Sequence, residues 1–84
     1  MRTAYLISSI EEYGKFIAFC IDNDISVFRT YWDEREKENR CFNIDWENKR
    51  CYYSSEQYYL NEGYAIKTPK FELNEYGEWK LIEE

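Results

Sequence analysis

Nine tyrosines, five phenylalanines and three tryptophans fall in a chain of 84 residues that has no histidine. That supply of rings constrains the fold more than any motif does. Eight isoleucines and four leucines are too few to fill a core alone, so the core must be partly aromatic. A chain of this length has room for one domain, residues 1–84, and folds alone only marginally. Rings help, because each buries a large apolar area. One proline and three glycines interrupt the chain, and a disordered chain would lack the rings and β-branched residues. There are also more rings than one small core needs, so several must reach the surface. Tyrosine there gives a large, stiff contact at low entropy cost.

Local patterns place the elements. Residues 3–7 read as a short apolar strand. Ser8 with Glu11 and Ser9 with Glu12 form overlapping capping boxes that start a helix ending near Asn23. A helical wheel puts Ile10, Tyr13, Gly14, Ile17, Cys20 and Ile21 on its buried face, with Glu11, Glu12, Lys15 and Asp22 opposite. Phe19 projects from the polar side. Either a loop or the C-terminal segment covers it, or it belongs to a partner or dimer contact.

Residues 25–32, 40–46 and 49–53 read as a three-stranded meander. A two-residue loop at Glu47-Asn48 sets Trp46 opposite Lys49, Asp45 opposite Arg50, Ile44 opposite Cys51, Asn43 opposite Tyr52 and Phe42 opposite Tyr53. Apolar and polar side chains then separate onto two faces, Asp45 and Arg50 face each other as a cross-strand ion pair, and Cys41 and Cys51 point apart, too divergent for a disulfide. The alternating charges of residues 33–38 suit a solvated loop. Ser54, reaching Gln57, starts a second, short helix that Gly63 ends. Residues 64–68 read as extended up to Pro69, and residues 71–73 and 78–82 form a hairpin around Asn74-Glu75-Tyr76-Gly77. The expected fold is α+β: an antiparallel sheet of about five or six strands, one long amphipathic helix on one face, and a second short helix. Its expected core rings are Tyr13, Phe28, Phe42, Trp46, Tyr53 and Trp79.

Formal net charge is −6, from 17 acidic and 11 basic residues. Without clustered lysine and arginine, nothing displaces counterions from nucleic-acid phosphates, so a basic protein surface is the better partner. No apolar run reaches membrane-spanning length, and the N-terminus lacks a signal-peptide pattern. Cys20, Cys41 and Cys51 follow no metal-ligand spacing and read as buried free thiols in a reducing cytoplasm, with no cofactor implied.

Enzyme chemistry is poorly served. There is no histidine base, and the glycines stand alone at positions 14, 63 and 77, so no phosphate-binding loop exists. Adjacent Glu11 and Glu12 diverge on a helix and suit its N-terminal dipole. The surplus rings instead suggest binding. Tyr52, Tyr53, Tyr58, Tyr59 and Tyr64 crowd one stretch beside Glu56, Glu62, Glu72 and Glu75. Tyr52 lies on the polar hairpin face, and adjacent Tyr58 and Tyr59 cannot both point inward. The expected contact set is therefore Tyr52, Glu56, Tyr58, Tyr59, Glu62, Glu72 and Glu75, with Phe19 as a second anchor, and a homodimer is compatible with it. An alternative is a tyrosine-lined pocket that stacks a nucleotide-like ligand, with Arg29, Arg40 or Arg50 on its phosphate.

In size, acidity and lack of catalytic residues, the whole chain is similar to small phage-encoded inhibitors of bacterial defence, the anti-CRISPR type. The similarity is one of overall character and transfers no functional residues. It implies a non-enzymatic inhibitor that occludes a nucleic-acid-binding surface in the host cytosol.

Overall fold

A computed structural model describes residues 2–27, 32 and 38–82. Its elements follow in the order β1 (Thr3–Leu6), α1 (Ile10–Asp22), β2 (Ser26–Val27), β3 (Cys41–Asp45), β4 (Arg50–Ser54), α2 (Glu56–Asn61), β5 (Ala65–Lys67), β6 (Lys70–Leu73) and β7 (Trp79–Ile82). The fold is α+β, with a five-stranded sheet in the order β2-β4-β3-β1-β5 and a separate β6-β7 hairpin.

The main sheet is mixed rather than wholly antiparallel. β3 runs antiparallel to β1 and β4, whereas β1 with β5 and β2 with β4 are parallel pairs. A parallel pair needs a long crossover, and the two helices lie in the two crossovers. The chain passes through α1 on its way from β1 to the β2 edge, and through α2 on its way from β4 to the β5 edge. These crossovers traverse the sheet in opposite directions. To share one hand, as the right-handed rule demands, their helices must lie on opposite faces.

Strand alternation confirms that placement. Tyr5, Ile7, Phe42, Ile44 and Cys51 join Phe16, Phe19 and Cys20 of α1 in one cluster, while Ala4 and Cys41 join Tyr59 of α2 in another. The expected meander is accordingly replaced. Both edges of β3 are taken, so β2 pairs with β4 instead, Ser26 beside Arg50 and Val27 beside Cys51. The rest of the expected strand, residues 28–31 with Phe28 and Arg29, lies outside the described residues, as do residues 33–37 of the charged run.

The β3–β4 register is the expected one from Phe42–Tyr53 to Asp45–Arg50. The turn is longer, spanning residues 46–49, with Lys49 in the left-handed region at φ 56°. Asp45 accepts hydrogen bonds from the Asn48 amide (3.2 Å) and side chain (2.8 Å), which takes the place of the expected ion pair with Arg50. Cys41 and Cys51 lie on opposite faces, and all three thiols are buried and free.

Ser9 caps α1, its Oγ accepting from the Glu12 amide at 3.2 Å. The helix closes in a Schellman motif: Ile25 N–H donates to Cys20 C=O at 2.8 Å and Asp24 N–H to Ile21 C=O at 3.2 Å. Asp24, not Asn23, takes the left-handed position, at φ 57°. Asn23 instead turns its side-chain amide to Phe19 C=O at 2.8 Å.

The buried face of α1 differs from the helical wheel. Phe16, Phe19 and Cys20 are buried, while Ile10 and Ile21 are 51% and 68% exposed. A wheel assumes one covered side, but α1 lies between the sheet and the β6-β7 hairpin. Phe16 meets Phe42 of β3 at 5.0 Å and Phe71 of β6 at 5.9 Å. Phe19 is 5% exposed, with Phe71 at 5.7 Å and the edge of Trp46 at 6.0 Å. The C-terminal segment thus covers Phe19, which removes it from the surface contact set. Trp79 N–H donates to Asp22 Oδ2 at 2.9 Å and ties the hairpin to the end of α1. Of the expected core rings, Phe42 is buried and Tyr13 and Trp79 pack beside it, but Trp46 and Tyr53 are 46% and 39% exposed. Trp46 leaves the core because it starts the long turn.

Candidate functional site

The face of the sheet opposite α1 carries the site. β4 ends at Ser54, and Ser55 caps α2, its Oγ accepting from the Tyr58 amide at 3.1 Å. The cap is one residue later than the Ser54–Gln57 pattern suggests. Gly63, at φ 82°, ends the helix as expected, in a second Schellman motif: Tyr64 N–H donates to Tyr59 C=O at 2.9 Å and Gly63 N–H to Leu60 C=O at 3.1 Å. That motif commonly adds a contact between the residue after the glycine and the last helical turn. Here it is made by two rings, Tyr64 edge-on to Tyr59 at 4.9 Å.

Tyr59 is the anchor of this layer. Only 3% exposed, its ring packs with Ala4 and Cys41, two small residues on the neighbouring strands β1 and β3. Burial raises its phenol pKa above the ordinary 10. Burial, and then the charge of Glu56, push the Cys41 thiol up to about 11, so the thiol is protonated and inert at neutral pH. With Tyr59 turned inward, Tyr58 must turn outward; it is 49% exposed and stands edge-on to Tyr59 at 5.2 Å.

An open groove of about 650 Å³ results, lined by Tyr52, Tyr53, Tyr58, Tyr59 and Tyr64 with Arg2, Asn43, Asp45 and Trp46 among its other walls. Tyr52 is half-exposed, facing Asn43 across the β3–β4 pair. Asn43 donates its side-chain amide to Thr3 C=O at 3.1 Å, which fixes that wall to β1. At the other end, the Arg2 guanidinium lies over the Tyr64 ring at 4.4 Å and donates to Glu62 C=O at 2.6 Å. Asp45 supplies a carboxylate. Its two hydrogen bonds from Asn48, ahead of the more distant charge of Arg50, hold its pKa below the ordinary 3.8, so it is ionised at neutral pH.

The expected contact set is therefore divided. Tyr52 and Tyr58 line the groove half-exposed, and Tyr59 lines it as a buried floor. Exposed Glu56 and Glu62 bracket α2 on the same face. Glu72 and Glu75 do not join them: they lie on β6 and its turn, in the hairpin packed on α1 at the other face. Phe19 lies in the core. Of the arginines expected to neutralise a ligand phosphate, Arg40 stacks on Trp32 at 4.0 Å, and Arg50 flanks Tyr52 two residues along β4. Sequence reasoning missed Arg2 and Asp45 as site residues. Arg2 reaches Glu62 across 60 positions, through the parallel pairing of β1 with β5, and no local pattern announces such a contact.

Among the described residues, no group of cysteine, aspartate and glutamate side chains is arranged to hold a metal ion. No helix among the described residues is long and apolar enough to cross a membrane. Compared with protein-family models, curated proteins and solved structures, the chain matches none.

Proposed function

We propose that this protein is a non-enzymatic binding module that engages a basic surface of a protein partner through the tyrosine groove and its carboxylate rim. One observation carries the reading: Tyr52 and Tyr58 stand half-exposed around an open groove that also holds the ionised Asp45. Rings give contact area and cation–π attraction, and the carboxylates Asp45, Glu56 and Glu62 give Coulomb attraction. The most specific form is an inhibitor of the phage or mobile-element kind that occludes a nucleic-acid-binding surface; the excess of 17 acidic over 11 basic residues supports it.

The test is affinity capture from a cell lysate with a rising salt wash. The partner should be released steeply as salt rises. Charge reversal at Glu56 and Glu62, or the double change Tyr52→Ala and Tyr58→Ala, should abolish capture. Retention unchanged across the salt range would sink the electrostatic mechanism.

A second reading, sequestration of a nucleotide-like ligand, is favoured by the groove volume of about 650 Å³ and its five tyrosines. Its open form counts the other way, since small-ligand sites enclose most of the ligand surface. Denaturing the purified protein and finding no ultraviolet-absorbing ligand in the supernatant would argue against it.

A further inference from the structure

We propose that Cys20 and Cys51 form a pre-aligned cross-link site: exchange with a small-molecule disulfide joins their sulfurs and staples α1 to β4 through the core. The proposal is independent of what the groove binds. Strand alternation sends Cys51 to the α1 side of the sheet, together with Ile44, its partner across the β3–β4 pair. Tyr52, the next residue, turns to the groove on the other side. Cys20 comes down on the α1 side with Phe16 and Phe19. Both cysteines belong to one core cluster, 0% and 3% exposed. Cys41 packs with Ala4 and Tyr59 on the opposite face, so only the Cys20–Cys51 pairing keeps both sulfurs in one layer.

The backbone fixes how the two meet. Ile25 N–H donates to Cys20 C=O at 2.8 Å, and Ser26 N–H donates to Lys49 C=O at 2.8 Å. β2 then sets Val27 beside Cys51. The end of α1 is thereby pinned to β4 within a few residues of each cysteine. The Cys51 thiol lies in hydrogen-bond reach of the Cys20 thiol, and that contact, with burial, holds it protonated well above the ordinary thiol range. Two sulfurs in contact between elements already tied together need side-chain rotation, not backbone movement, to reach a bonded separation of about 2 Å.

The chemistry is two successive exchanges. One cysteine, deprotonated, attacks a sulfur of the small disulfide; that S–S bond breaks, and the departing thiolate takes up the proton the cysteine lost. The second cysteine then loses its proton and attacks the protein-bound sulfur, which forms the Cys20–Cys51 bond and releases a second small thiol. The cysteines give up two hydrogens with their electrons, and the small disulfide gains them as two thiols. Because both sulfurs are buried, exchange runs as the chain folds or opens and is slow in the native state.

The test refolds the reduced, unfolded chain in a mixture of reduced and oxidised glutathione, blocks free thiols with iodoacetamide and maps the product by mass spectrometry. One product is expected, with Cys20 joined to Cys51 and Cys41 alone alkylated. Its midpoint of thermal unfolding should rise by about 10–20 °C, because the bridge restricts the unfolded chain, and dithiothreitol should reverse the rise. Cys41→Ala should bridge as the parent does, and Cys51→Ala should give no internal bridge. A bridge that involves Cys41, or glutathione adducts with no internal bridge in the parent, would overturn the assignment. So would a Cys20–Cys51 bridge that leaves the midpoint unchanged or lowers it, since the core would then have to distort to accept it.

Discussion

Truncating Phe19 tests the packing of α1 more sharply than any other single change. A buried phenylalanine removes about 150 Å² or more from water, and at about 25 cal/mol per Å² this is about 4 kcal/mol. Phe19→Ala should therefore cost about 3–5 kcal/mol, because the space between Phe71 and Trp46 cannot close fully around a methyl group. At about 0.05–0.15 kcal/mol per residue, the 84-residue chain has only about 4–13 kcal/mol to lose. The midpoint of thermal unfolding should drop by roughly 15–30 °C. Ile21→Ala is the control. Ile21 is 68% exposed, so its truncation should change stability by no more than about 0.5 kcal/mol. Urea denaturation followed by tryptophan fluorescence and far-ultraviolet dichroism gives both numbers. If Phe19→Ala is too unstable to fold, Phe19→Leu should still lose about 2 kcal/mol. A cost above about 2 kcal/mol for Ile21→Ala, with less than about 1 kcal/mol for Phe19→Ala, would mean that α1 is rotated to the face the helical wheel favours, and would refute the sandwiched-helix account.

Two further perturbations bear on the elements that shape the groove. Ser55→Ala removes the cap of α2 and should cost about 1 kcal/mol, whereas Ser54→Ala should stay within about 0.5 kcal/mol; equal losses in urea denaturation would contradict the cap assignment. The folded pKa of Asp45 lies below its unfolded value, so its stabilisation is fully present above the ordinary 3.8 and is lost as pH falls through the lower folded value. The urea midpoint should therefore fall less steeply below about pH 4 in Asp45→Asn than in the parent, and identical slopes would show that the Asn48 contacts do not hold this carboxylate.

Much of the local structure was legible from short-range pattern. The Ser9 cap on the Glu12 amide, the register from Phe42–Tyr53 to Asp45–Arg50, and Gly63 as the stop of α2 each depend on residues a few positions apart. So did half of the site: adjacent tyrosines on one short helix had to divide, and Tyr58 turned outward as Tyr59 turned inward. The same adjacency could not say which would do which. That was settled by Ala4 and Cys41, small residues on two strands far apart in sequence, which leave space on the sheet for one ring.

The sequence by itself determined that the core would be aromatic, that the class would be α+β, and where most elements start and stop, because ring supply, capping and turn chemistry act over short stretches. Tertiary structure alone decided which rings are buried. Phe19 reads as an outlier on an isolated helix, yet it belongs to the core, because a hairpin from the far end of the chain packs against that side of α1. Arg2 carries no signal in its own neighbourhood and becomes part of the groove only when β1 and β5 pair in parallel. Both outcomes follow from the two crossovers. Sharing one hand while running in opposite directions, they place α1 and α2 on opposite faces of the sheet, and a sheet covered on both faces decides burial from two sides at once.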